Sequence, residues 1–186
     1  MTANQTNKLF SKGGLWQVME DQLKHADALL AGITAEQLRS TGADRLIQDI
    51  VRDLSIEPLL IFEDRMQTER IDSEIDMTGF DDYRDVRTGS EVCPEVRFVI
   101  PFSGDPVLWQ LKPEPGHCLT PRGEIDAEQS LLILTFASTS RVPDFEPERL
   151  QTLRLIKDFI RAQTELLAQY HRDLANKVTK GLAALQ

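Results

Sequence analysis

The feature that most constrains this chain lies at its C-terminal end. From Pro147 to Gln186 the pattern is helical and no proline follows Pro147 to break it. Leu153, Ile160, Leu167 and Leu174 recur every seven residues, and Ile156, Gln163 and Tyr170 form the interleaved set. This is a coiled-coil-like heptad pattern with polar interruptions. A helix of about 36 residues is about 54 Å long. A globule built from a chain of this size is about 40 Å across. The helix therefore outreaches the body, and an apolar stripe left in water is unfavourable by about 25 cal/mol per Å². Two outcomes follow. The stripe pairs with a second copy or another protein, making Leu153, Ile156, Ile160, Leu167 and Leu174 interface residues. Alternatively, Leu15–Leu30 and Asp44–Leu54 pack along it and cover it within one chain.

The 186 residues carry 41% hydrophobic and 27% charged side chains, which suits a soluble globular domain with a helical extension. Lys and Arg total 21 against 30 Asp and Glu, a net charge of −9 that argues against nucleic-acid or anionic-membrane partners. The longest apolar runs, Leu59–Phe62 and Leu131–Leu134, fall far short of the roughly 18–20 residues of a membrane span. The polar start Met1–Lys12 lacks an apolar signal core, so a cytoplasmic setting is expected. Cys93 and Cys118 are too few for a disulfide framework and lack metal-ligand spacing.

Residues 1–14 read as a flexible arm. A helical stripe begins at Leu15 and ends near Gly32, Thr34–Gln37 has the form of a capping box, and a further helix runs from Asp44 to Ser55. The period then changes to two. Leu59–Glu63, Thr68–Met77 and Val96–Ile100 read as strands, the last closed by Pro101, and Asp105-Pro106 starts a short helical turn. Arg122–Asp126 and Leu131–Ala137 read as a hairpin, whose second arm is apolar on both faces and belongs in the middle of the sheet. The expected fold class is α+β: N-terminal helices, an antiparallel sheet of about four or five strands, and a long C-terminal helix. The expected organisation is an arm (1–14), an α+β body (15–146), and a helix (147–186) packed on the body or a partner.

The strongest candidate for chemistry is the face carrying Asp72, Glu74 and Asp76. Residues two apart on a strand share a side at about 6.5–7 Å spacing, and such carboxylates can hold Mg²⁺ or Ca²⁺. The alternative is a solvated face, or an edge guarded by charge. Arg97 and Arg122 on neighbouring strands suit an anion, and His117 sits in a proline-rich loop beside Cys118. Adjacent residues on an extended segment point to opposite sides, which argues against a His117–Cys118 catalytic pair. His25 and His171 lie on helices. There is no glycine-rich phosphate loop, and no cofactor is implied. Trp16 and Trp109 read as partial-core anchors, with their indole N–H groups reaching an edge acceptor.

One block looks familiar. Ile56-Glu-Pro-Leu59, Ile100-Pro-Phe-Ser-Gly-Asp105, Leu108, Pro113 and Pro121-Arg-Gly-Glu-Ile125 together resemble a group of uncharacterised bacterial proteins. The resemblance implies a strand-turn-strand core followed by a long C-terminal helix with an Asn near its end, here Asn176. It assigns no activity, cofactor or catalytic residue. The functional expectation is a non-catalytic protein-interaction or oligomerisation module working through its helices, as an accessory part of a bacterial multi-protein system. The alternatives are a metal-dependent hydrolase on the acidic strand and a small-anion or nucleotide sensor.

Overall fold

The computed structural model describes residues 7–76, 90–113, 119–138 and 144–185, with backbone alone for 72–76 and 90–93. The chain is α+β. Its elements are β1 (Asn7–Lys8), β2 (Gly13–Gly14), α1 (Leu15–Ala31), α2 (Ala35–Thr41), α3 (Ala43–Leu54), β3 (Leu60–Ile61), β4 (Gln67–Asp76), β5 (Ser90–Ser103), β6 (Leu111–Lys112), β7 (Arg122–Asp126), β8 (Leu131–Ala137) and α4 (Glu146–Ala183). Short 3₁₀ turns occupy Glu63–Arg65 and Pro106–Gln110. The main sheet runs β1-β7-β8-β5, with β3 and β4 both on the far side of β5, and all its pairings are antiparallel. A parallel pair, β2 with β6, stands apart from it.

Local chemistry accounts for many of the boundaries. The Thr34 hydroxyl accepts from the Gln37 N–H while the Gln37 side chain accepts from the Thr34 N–H, a complete capping box at the start of α2. Asp105 caps the second 3₁₀ turn by accepting from Val107 N–H at 3.0 Å, with Pro106 in its first position. Gly104 precedes them at φ +99, and a Cβ there would lie 2.3 Å from the Pro58 carbonyl oxygen, so only glycine fits.

The long helix is covered by its own molecule. On α4, Leu153, Ile156, Phe159, Gln163, Leu167, Tyr170, Leu174, Val178 and Leu182 are buried at steps of three and four. Toward its N-terminus the Arg149 guanidinium lies 5.4 Å from the Phe98 ring of β5, and Phe159 stacks on Phe10 at 4.7 Å. Further along, the Tyr170 hydroxyl donates to the last carbonyl of α3, Leu54 O, at 2.6 Å. Near the end Lys177 pairs with Asp27 of α1 at 2.7 Å. Gly181 is so close to Leu30 that a Cβ would fall 2.6 Å from its Cδ1. The sheet covers the first half of the stripe, while α1 and α3 cover the second. Leu153, Ile156, Leu167 and Leu174 are at most 1% exposed, and Ile160 is partly buried against the same core. They form an intramolecular seam, and the exposed stripe expected to need a partner is absent from α4.

Other expectations change as well. Residues 7–14 do not form a loose arm. Leu9 N–H donates to Pro121 O, Phe10 N–H to Trp109 O and Lys12 N–H to Gln110 O. Phe10 is fully buried at φ 50, a left-handed geometry that costs about 1–3 kcal/mol in a non-glycine residue. Its ring is held between Trp109 and Phe159. Strand β5 continues through Pro101, since the next bond to the β8 side comes from Phe102 N–H and the Pro101 carbonyl accepts from Phe62. The expected strand Leu59–Glu63 shrinks to β3. Trp16 is half-exposed, and the buried Trp109 indole N–H has no partner among the described residues.

Gln163 is the buried polar residue of the seam, and its amide donates to Leu108 O at 2.9 Å and Leu111 O at 2.7 Å. Gln163→Leu removes both donors and should lower stability by about 1–3 kcal/mol, read as a lower urea midpoint with unchanged slope. Burial pushes the Tyr170 hydroxyl up from 10.0 to about 12. A folded value raised above the unfolded one means stability that is present below pH 10.0 and is lost as pH climbs toward about 12. Tyr170→Phe loses the hydrogen bond to Leu54 O and should be less stable than the wild type at neutral pH. With no hydroxyl left to ionise, it should also show a shallower alkaline loss, read as melting temperature against pH.

Candidate functional site

The sheet ends at β4. Its ten residues pair with β5 from Gln67↔Val99 to Asp76↔Ser90, and among the described residues β4 pairs with no other strand. Alternation places Thr68 and Arg70 across from Phe98 and Val96, which face the core, and Glu69 across from Arg97 on the outer face. Gln67, Thr68, Glu69 and Arg70 are nevertheless all exposed, so both faces of this stretch meet water. Among the described residues, the outer edge of β4 is therefore left without a strand partner, between charged side chains.

Asp72, Glu74 and Asp76 occupy alternate positions of β4, opposite Pro94, Val92 and Ser90, so the backbone places them on one side of the strand. Their side chains lie outside the described residues, as do His117 and Cys118. Among the described residues, no three His, Cys, Asp or Glu side chains converge where a metal ion would be held. Arg97 and Arg122 share the outer face, on β5 and β7 with β8 between them. Arg97 Nε lies 3.3 Å from Glu95 Oε1, and Arg122 is exposed on a strand whose other neighbour is β1.

Two of the clefts among the described residues flank the body. One of about 480 Å³ lies beside β1, between Lys8, Lys12, Val107, Gln110 and Glu124. The other, of about 630 Å³, runs along the outer face of α4 past Leu150, Arg154, Lys157 and Arg161. Most of its charge is already matched, Lys157 by Glu63 at 2.5 Å and Arg161 by Asp158 at 2.7 Å. Leu150 is half-exposed there. Their spacing at steps of three and four puts Arg154, Lys157 and Arg161 on one face of the helix.

Arg149 is a structural fixture that sequence reasoning missed. Its guanidinium is bidentate to Glu146, sits over Phe98, and donates to the Met66 sulfur at 3.5 Å. The Glu146 hydrogen bond raises the Arg149 pKa and lowers that of Glu146. The pair fixes the first turn of α4 on the sheet.

No family model, curated protein or solved structure matches this chain. No helix among the described residues is long and apolar enough to cross a membrane.

The acidic strand is open to a direct check. With millimolar Mg²⁺, Mn²⁺ or Ca²⁺ the melting temperature is expected to stay unchanged, because a bound ion would raise it. A rise that Asp72→Asn abolishes would instead establish a metal centre on β4.

Proposed function

We propose that the protein is a non-catalytic interaction or oligomerisation module, an accessory part of a cytosolic multi-protein assembly, that binds through the open edge of its sheet. The supporting observation is β4, a ten-residue strand with one edge unpaired among the described residues and with Gln67–Arg70 exposed on both faces. Strand addition to such an edge gains main-chain hydrogen bonds without reorganising the core, and alternate side chains supply selectivity. The helical route is less favourable: separating α4 from the sheet, α1 and α3 would expose a buried apolar seam before any partner could use it. In this reading α4 is an internal spine and β4 the working surface.

Adjacent strand residues send their N–H groups to opposite sides, so one of Thr68→Pro and Glu69→Pro removes an outward N–H and spares the ladder to β5. The variant that keeps wild-type thermal stability should lose the bound copy or protein, measured by light scattering and by rebinding of the purified partner. Undiminished binding in that variant would rule out the edge as the binding surface.

A further inference from the structure

The occupant of the edge can be specified, on the reading that β4 is the binding surface. We propose that β4 pairs antiparallel with β4 of a second copy of this chain, about a two-fold axis through Ile71.

The argument is one of register. In that pairing Ile71 stands opposite Ile71 of the second copy, Arg70 opposite Asp72, and Asp72 opposite Arg70. Outward from the axis, Glu69 meets Ser73, Thr68 meets Glu74, and Gln67 meets Ile75. Two cation–anion pairs are formed, an apolar pair lies at the centre, and no like charges oppose one another.

Neighbouring registers fail this condition. A slip of one residue sets Glu69 against Asp72 or against Glu74, depending on its direction. Centring the axis on Arg70 or on Asp72 sets that residue against itself. Opposite charges directly across a strand pair stabilise it and like charges destabilise it, while a one-residue slip also exchanges the two faces. Charges on an edge strand ordinarily deter indiscriminate pairing. Here they deter it in the four registers nearest to the one centred on Ile71, and that one is self-complementary.

The resulting contact is isologous, using the same patch on both copies, and therefore closes at two. It joins the two sheets through their β4 edges into one continuous sheet and leaves the seam under α4 undisturbed. Arg70 is exposed, so altering its charge does not disturb the core.

Charge exchange tests the pairing. Sedimentation or light scattering across a concentration series should show the mass rising from 21.1 kDa toward twice that value. Arg70→Asp and Asp72→Arg each replace two matched pairs by two like-charge pairs and should weaken association by at least about tenfold. The double variant restores opposite charges in the same register and should recover wild-type association to within about threefold. Far-UV circular dichroism and the melting temperature report whether each variant folds.

A strict monomer at the highest concentration would overturn the proposal, as would a dimer indifferent to both single reversals or not restored by the double. A monomer whose β4 edge binds a different protein would discard the second copy and keep the edge. Assembly unaffected by the fold-intact edge proline would discard both.

Discussion

The burial of one face of α4 along its whole length governs the rest of the structure. A helix of 38 residues is about 57 Å long, and no single sheet of this size covers it. The chain supplies two covers in succession. The sheet and the second 3₁₀ turn take the first half, and α1 and α3 take the second. α1 and α4 run in the same direction, since Asp27 meets Lys177 and Leu30 meets Gly181. A side chain at Gly181 would force Leu30 to shift, and the glycine keeps that close packing despite its low helix propensity.

The polar side chains on the seam show how the two covers are joined. Gln163 and Tyr170 interrupt an otherwise apolar repeat, and each spends its donors on backbone carbonyls that would be costly to bury unpaired. Gln163 ties α4 to the turn that follows β5, and Tyr170 ties it to the end of α3. In a helix built to pair with its own copy, such interruptions set register between chains. Here they set register within one.

This difference marks where sequence reading succeeds and fails. Signals complete within a few residues were legible: the Thr34–Gln37 box, the Asp105-Pro106 cap, the presence of strand β4, and the hairpin Arg122–Asp126 with Leu131–Ala137, whose bounds the structure reproduces. The heptad was equally legible, but periodicity states that a face is buried and not what buries it. Leu9 and Phe10 carried no period at all, and the burial of Phe10 depends on Trp109 and Phe159, far away in sequence. Pro101 suggested a strand end because it lacks an N–H, yet the ladder there uses its carbonyl and the neighbouring Phe102 N–H. At the candidate site, the sequence showed a wet acidic strand. That this strand stands at an edge of the sheet among the described residues follows from topology, which no local pattern contains.

In the proposed reading, with the seam of α4 occupied, interaction passes to the periphery, to the edge of β4 that pairs with no strand among the described residues. Hydrogen exchange along α4 tests this division of labour most directly. The account predicts that the amides from Arg149 to Gly181 are strongly protected in dilute protein, and equally so at every concentration. If the second half of the helix exchanged freely in the dilute chain and gained protection only as concentration rose, α4 would be an intermolecular helix and the account would be wrong.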